Sequence, residues 1–304
     1  MSSRFAGDRA PSPEPRAPVS VVITARDEEE QLPGALASVT SWAEDVMVVL
    51  DPRSGDRTGE LARTSGARVL EHEFAGSGAQ CNWGLDRCEQ RWAFVLDADE
   101  RVTPALAAAI REAVREPHHD AYAVRRANHA FGRRLRFGDW GRDRVVRLLD
   151  RERARFSELS VHGAVQAVSV GRLAGDLHHE TLRSLAQYLP KLHEYAQRGA
   201  ADLVAAGRRA TVAKAIGHAE WRFFRGFFLR LGALDGPPGW AVALLMAYGT
   251  YLKWLAAWDL QQHLHPGRVG TADQGPLTTP AVRATGHGPR ATDPTPAGPP
   301  RSER

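Results

Sequence analysis

Residues 91–102, RWAFVLDADERV, carry the clearest structural signal in the chain. The apolar run WAFVL predicts a buried strand. Asp97 and Asp99 follow at once, with Glu100 directly behind them. Residues two apart in an extended segment point the same way, so the strand is expected to hold two carboxylates at the rim of a sheet. Because like charges held that close repel each other, a divalent cation such as Mg²⁺ is their natural partner.

A plainer interpretation of the same residues remains open. The strand could end in a solvated acidic turn, with Glu100 supporting a helix from Pro104 onward. The D-x-D pattern is common by chance, so the choice between the two depends on the rest of the chain.

Strands and helices alternate on the amino-terminal side of this stretch. This order predicts an α/β fold with a mostly parallel, Rossmann-like sheet and helices on both faces. Such sheets bind ligands beyond the carboxyl ends of their strands. Asp27, Glu28, Asp51 and Asp97 all lie at such ends. The predicted strands are 19–24, 46–50, 67–70 and 94–96, and the predicted helices are 27–39, 58–65 and 79–87.

Composition points to an ordinary globular protein. The chain has 304 residues, 43% apolar and 25% charged, with a net charge of +4. Cys81 and Cys88 form neither a disulfide framework nor a zinc pattern, which favours a reducing compartment. The amino terminus has no apolar signal-peptide core. Residues 1–17 and 263–304 are rich in Pro and polar residues and are expected to be disordered.

Further motifs occur in a fixed order along residues 18–258. They include VSVVITARDEEEQLPGALASV, then VMVVLDPRSGDRTGELARTSGARV, then GSGAQCNWGLD before FVLDADERV, and later RDRVVRLLDRERARF and HHETLRSLAQYLPKLHEYA. Together they resemble the family 2 glycosyltransferases of the GT-A fold, above all the bacterial lipopolysaccharide core β-glucosyltransferase type. The resemblance implies a GT-A domain at 18–185 and a helical, membrane-interfacial region at 186–262.

The resemblance also implies a nucleotide-sugar site. Asp27 or Glu28 would flank the base, and Asp51 would hold the uracil or ribose. Asp97 would touch the ribose or the water shell of the metal. Asp99 would ligate a divalent cation, Mg²⁺ or Mn²⁺, that bridges the diphosphate.

The remaining implied roles concern the metal and the acceptor. His179 would complete the metal or diphosphate site, although the neighbouring His178 leaves this assignment uncertain by one residue and a linker histidine stays possible. Asp143 would act as general base toward an acceptor hydroxyl, or would only pair with nearby arginines. Trp140 would form a platform for a sugar face, and Arg147 would meet phosphates.

Three segments of the chain depart from the pattern of these relatives. Cys81 stands where they usually carry Lys, Gly163 where they carry Glu, and Pro52 and Arg53 where they carry small residues. The fold tolerates all three changes, but Gly163 places the choice of acceptor in doubt.

Basic and aromatic residues suggest a membrane partner. Residues 125–155 hold eleven arginines and four acidic residues without the aromatic spacing of a nucleic-acid module. An anionic or lipid-linked acceptor therefore fits better than nucleic acid. WRFFRGFFLRL at 221–231 predicts a basic interfacial helix, and the uncharged stretch at 240–252 is too short to cross a bilayer. A packed helical hairpin or a dimer interface is the alternative.

The sequence thus predicts an inverting, metal-dependent glycosyltransferase, peripheral on the inner face of the plasma membrane. It would move a hexose from a UDP-linked sugar to a lipid-linked or cell-envelope glycan. A polyprenyl-phosphate sugar synthase and a catalytically silent nucleotide-sugar-binding scaffold are the alternatives.

Overall fold

The apolar run WAFVL lies at the centre of the sheet. A computed structural model describes residues 16–157 and 164–264. In it β1 (Ala17–Ala25) pairs in parallel with both β2 (Ala43–Leu50) and β4 (Trp92–Asp97), and β2 pairs in parallel with β3 (Arg68–Glu71). All five side chains of the run WAFVL are buried. The predicted α/β, GT-A-like architecture is confirmed.

The sheet continues past β4 with strands that the sequence did not predict. These are β5 (Glu100–Val102), β6 (Ala121–Ala130), β7 (Arg133–Arg134), β8 (Arg144–Asp150) and β11 (Val170–Leu182), while β9 (Arg155–Phe156) and β10 (Val165–Gln166) pair separately. The order is β3-β2-β1-β4-β8-β6-β11-β5, with β7 on β6. β8 runs antiparallel to both β4 and β6, whereas β6 and β11 are parallel.

Helices cover both faces of this sheet. Leu32 and Leu106 pack with Phe94 in one apolar core, and Leu85 packs with Val95 in a second. Because successive side chains of β4 point to opposite faces of the sheet, this strand contributes to both cores. The helices are α1 (Leu32–Ala37), α2 (Thr58–Thr64), α3 (Ser77–Leu85), α4 (Pro104–Arg115), α5 (Leu185–Ala205), α6 (Val212–Phe224) and α7 (Pro237–Leu264).

The first helix begins later than predicted. Asp27 adopts a left-handed backbone conformation, with φ at 54°. The backbone N–H groups of Glu28 and Glu29 donate to side chains at the start of α2, to Thr58 Oγ1 at 2.8 Å and to Asp56 Oδ2 at 3.0 Å. Residues 27–31 consequently form a loop, and the prediction of a helix from residue 27 is wrong.

The predicted basic helix at 221–231 is helical as far as Leu229, but its arginines pair with a carboxylate of the protein itself. Helix α6 ends at Phe224, a π-helical turn spans Arg225–Leu229, and Leu231 is left-handed. The three arginines of this segment turn inward to the carboxylate of Asp139, which is only 7% exposed. They are Arg222 (Nε–Oδ2 2.9 Å), Arg225 (Nη2–Oδ1 3.6 Å) and Arg230, whose Nη1 contacts Oδ1.

The stretch at 240–252 lies inside α7, which begins at Pro237. Among the helices of residues 16–157 and 164–264, none combines the length and apolar character needed to cross a bilayer. Trp254, on the same helix, is buried and stacks on His218 with ring centroids 4.3 Å apart. The predicted tails at 1–17 and 263–304 fall almost wholly outside the described residues, and so does Gly163.

Candidate active site

The two aspartates of the D-x-D pattern contact different partners. Strand β4 ends at Asp97, and residues 98–99 form a turn, so the expectation of one extended segment is wrong. Asp97 Oδ2 accepts hydrogen bonds from Arg147 Nη2 and from Arg126 Nη2, the latter at 3.4 Å. Asp99 Oδ2 lies 3.2 Å from Nε2 of His179. The turn thus separates an arginine-bound carboxylate from a histidine-bound one.

Glu100 holds this turn in place from the protein interior, a role that the sequence analysis missed. The side chain is fully buried. Its carboxylate accepts from Arg147 Nη2 at 2.7 Å, pairs with Arg126 Nη2 at 2.8 Å, and accepts from the backbone N–H of Asp97 at 3.0 Å. It does not support the following helix, which Thr103 caps through its side chain.

Arg147 was predicted to bind phosphates, but it is buried under the edge of the sheet. The residue is 7% exposed, and its guanidinium bonds to the carboxylates of Asp97 and Glu100. Burial alone would lower the pKa of Arg147; the two carboxylates reverse this and raise the pKa further above its ordinary value. Its side chain therefore stays charged and holds Asp97 in place.

His179 is fixed by a neighbour on β6. Its Nδ1 lies 2.6 Å from Oδ1 of Asn128 and 2.9 Å from the hydroxyl of Thr181. When Nδ1–H donates to Asn128, Nε2 is the ring nitrogen that faces Asp99. Burial would raise the pKa of Asp99, but the hydrogen bond from His179 and the nearby positive charges hold it below its ordinary value. Of the two adjacent histidines, His179 is the one that meets Asp99.

Asn128 also connects the histidine to the predicted general base. Its Nδ2 donates to the backbone oxygen of Trp140 at 2.8 Å and to Asp143 Oδ2 at 3.4 Å. Asp143 receives a second long contact, 3.3 Å, from Arg126 Nη1, and its side chain is 31% exposed. The structure therefore brings Asp143 into the same polar network as Asp97 and His179. The arginine partner expected from the alternative interpretation is also present.

A cavity of about 540 Å³ opens beside Asp99. The loop after β1, including Asp27 and Glu28, forms one wall, and the start of α5 forms the other, with Tyr188 and Lys191. Trp140 packs edge-on against Tyr188 with ring centroids 5.9 Å apart. The predicted acceptor platform therefore lies behind a cavity-lining aromatic ring.

Glu28 has an unusual titration in this cavity. Burial raises the pKa of its carboxyl group to about 7, although Lys191, whose Nζ lies 3.8 Å from Oε1, opposes the shift. The charges of Asp99 and Asp97 reinforce it. Asp27, in contrast, is half exposed and accepts from the backbone N–H of Gly55 at 2.8 Å.

Asp51 is occupied by an arginine. It is 2% exposed, and Arg53 binds both its oxygens, with Nη2–Oδ2 at 2.6 Å and Nε–Oδ1 at 2.9 Å. The hydrogen bond from Arg53 outweighs burial and lowers the pKa of Asp51 to about 2. A nucleotide can reach this carboxylate only when Arg53, one of the departures from the family pattern, swings away.

Cys81, another departure, is buried close to the same network. Burial raises the pKa of its thiol to about 12, with a further contribution from the charge of Asp97. The thiol is therefore neutral and supplies no charge to a phosphate.

Known glycosyltransferases are similar to this chain in sequence. Residues 20–174 match the family described as "Glycosyl transferase family 2". The lipopolysaccharide core biosynthesis glycosyltransferase LpsC of Rhizobium meliloti is 27% identical over 85% of this chain and 98% of its own length. An uncharacterized glycosyltransferase of Rickettsia typhi is 25% identical over 77% of this chain and 85% of its own length.

A solved structure of mannosyl-3-phosphoglycerate synthase from Rubrobacter xylanophilus is similar at 19% identity and a TM-score of 0.42, over 64% of this chain and 76% of that one. The family match spans half of the chain. The protein is therefore a glycosyltransferase and belongs to glycosyl transferase family 2.

Proposed function

We propose that this enzyme transfers a hexose from a UDP-linked sugar to a lipid-linked or cell-envelope glycan, with inversion at the anomeric carbon. The observation that carries the proposal is the facing pair of Asp99 Oδ2 and His179 Nε2, 3.2 Å apart, at the edge of the cavity. The similarity to LpsC, whose name assigns it to lipopolysaccharide core biosynthesis, supports the class of acceptor.

The facing side chains of Asp99 and His179 are suitable ligands for a divalent cation. Adjacent ligands of an octahedral ion with bonds of about 2.1 Å lie about 3 Å apart, close to the separation of Asp99 and His179. Asn128 orients the imidazole from behind, as partners of metal-bound histidines do. Mg²⁺ or Mn²⁺ bound there would supply Lewis-acid stabilisation of the departing diphosphate.

The residues of this chain then have distinct tasks. Asp143 takes the proton of the acceptor hydroxyl while the hydroxyl oxygen forms a bond to the anomeric carbon. The bond from that carbon to the diphosphate oxygen breaks, and the nucleoside diphosphate leaves with the electron pair. Arg126 holds Asp143 and Asp97 at one guanidinium and so fixes their separation.

Asp143 also discriminates between hydroxyl and phosphate acceptors. A phosphate acceptor needs no general base, so Asp143→Asn is expected to abolish most turnover by the hexosyltransferase proposed here. Full turnover in this variant would instead indicate a polyprenyl-phosphate sugar synthase.

The proposed location is the inner face of the plasma membrane. Large apolar side chains cluster around the turn between α6 and α7 and are about half exposed or more: Phe228 (53%), Leu229 (58%), Leu234 (63%) and Trp240 (51%). An apolar surface of this kind supports contact with lipid.

The test is a thermal-shift titration with UDP, GDP, UDP-glucose and GDP-mannose, each with and without Mn²⁺. A ligand at a hundredfold excess over Kd stabilises the protein by about 2.7 kcal/mol. We expect a Mn²⁺-dependent shift with the uridine ligands, lost in Asp99→Ala and kept in the control Glu116→Ala, which removes an exposed carboxylate at the end of α4. A shift with guanosine ligands alone would overturn the donor assignment, and no shift at all would overturn the nucleotide-sugar site. Binding without turnover would favour a scaffold.

A further inference from the structure

A second group of possible metal ligands lies next to the donor site. His129, His178 and Glu180 each present a ligand atom, and these atoms all lie within 4.8 Å of one another. Neighbouring strands bring them together, because His178 on β11 pairs in register with Ala127 on β6, two residues before His129. The His129 and His178 rings are 4.0 Å apart between centroids.

We propose that these three residues bind a zinc ion, distinct from the cation proposed for the donor site. Two imidazoles and one carboxylate form a common zinc set, with water in the fourth position. All three side chains are partly exposed, which leaves room for that water. Successive side chains of a strand point to opposite faces, so His178 is turned away from the partner of its neighbour His179.

The tautomer of His129 fits a metal ligand. Its Nδ1 lies 2.9 Å from the backbone oxygen of Ala127. A carbonyl oxygen only accepts hydrogen bonds, so Nδ1 carries the proton and Nε2 keeps its lone pair. A backbone carbonyl that holds the second nitrogen is the usual outer partner of a metal-bound histidine.

His178 and Glu180 are already in contact. Nε2 of His178 lies 2.7 Å from Oε1 of Glu180, so a proton now joins the two atoms. Zinc would replace that proton and release it. Ligand atoms around tetrahedral zinc, with bonds of about 2.1 Å, lie about 3.4 Å apart, so small side-chain rotations complete the set.

Two arginines near this group already have oxygen partners. The nearest arginine along the sheet, Arg134, pairs in register with His129, but its guanidinium donates to Asp176 at 2.7 Å. Arg101 lies near Glu180 and is directed at the backbone oxygens of Ala98 and Glu100. The carboxylate of Glu180 is thus left to balance the ion.

The position of the ion assigns it a structural role. It would join β6 to β11 through residues on both sides of His179, and Glu180 also lines the cavity beside Asp99. Zinc at this point would fix the strand that carries the proposed donor-site histidine.

The test uses full-length, tag-free protein and Zn²⁺ alone. Because zinc could also enter the pair of Asp99 and His179, the titration is done in the Asp99→Ala background by calorimetry. We expect one Zn²⁺ per chain in this variant. Adding His129→Gln or His178→Gln should weaken binding by more than roughly tenfold, the loss that even an outer partner causes.

The control adds His118→Ala, a change at an exposed histidine between α4 and β6, and should leave zinc affinity unchanged. Thermal melting of each variant without zinc confirms that it is folded. Cobalt gives a second readout, because Co²⁺ in this site should show the intense visible absorption of a four-coordinate ion, lost with His129→Gln. Failure of Asp99→Ala to bind zinc, or equal binding by the His129→Gln variant, would overturn the proposal.

Discussion

Asn128 lies 2.6 Å from Nδ1 of His179, through Oδ1, and thereby aims the other ring nitrogen at Asp99. We expect Asn128→Ala to leave the protein folded but to weaken its cation affinity by about 10- to 100-fold, the usual effect of losing such an outer partner. The measurement is the Mn²⁺ concentration that half-saturates the UDP-induced thermal shift. Gln166→Ala, at an exposed amide on β10, is the control. An unchanged Mn²⁺ midpoint would show that Asn128 does not orient the metal ligand.

Glu100 should matter for stability. Its removal would leave the buried guanidinium of Arg147 with one carboxylate partner fewer, and breaking a buried ion pair costs about 3–5 kcal/mol. We therefore predict a large drop in the free energy of unfolding for Glu100→Ala, measured by urea denaturation. A loss below about 1 kcal/mol would contradict this account of the buried network.

Arg53 is expected to compete with the nucleotide for Asp51. If Asp51 binds the base or ribose as proposed, Arg53→Ala should tighten UDP binding and Asp51→Ala should weaken it. The thermal midpoint without ligand should fall in Arg53→Ala, because the buried carboxylate of Asp51 then keeps only Arg26, at 3.9 Å, as a cationic partner. Weaker UDP binding in Arg53→Ala would mean that the arginine itself contacts the nucleotide.

Glu28 predicts a pH dependence of stability. Its folded pKa of about 7 lies above the ordinary value of 4.5, so the folded state holds its proton more tightly than the unfolded state. The stabilisation from this proton is fully present below pH 4.5 and is lost as the pH rises through 7. Glu28→Gln should therefore be more stable than wild type at pH 8, by on the order of 1–3 kcal/mol, and should match it near pH 4. The same difference in free energy of unfolding between Glu28→Gln and wild type at both pH values would contradict the raised pKa of Glu28.

The sequence predicted the strands well where an apolar run was continuous. β4 and its acidic turn followed from WAFVL and the three carboxylates behind it. The start of the first helix was mispredicted because Thr58 and Asp56, about thirty residues further on, take the backbone donors of Glu28 and Glu29. Local helix signals carry no information about such a distant partner.

The polar network was harder to predict for the same reason. Arg126 and Asn128 lie about thirty residues after the D-x-D pattern and reach it only because β8 inserts antiparallel between β4 and β6. The motif RDRVVRLLDRERARF covers β8 but does not reveal which strands it pairs with. His179 was found through a family resemblance, whereas its orientation by Asn128 required the register of β6 and β11.

The three arginines gathered on Asp139 leave the outer surface of the α6–α7 turn mainly to apolar side chains. Attachment through this turn would therefore draw on the hydrophobic effect, with little help from the charge of lipid headgroups. Binding to vesicles should then persist at high ionic strength and should differ little between neutral and anionic lipids. An enzyme attached in this way would stay bound to the bilayer when the headgroup composition changes.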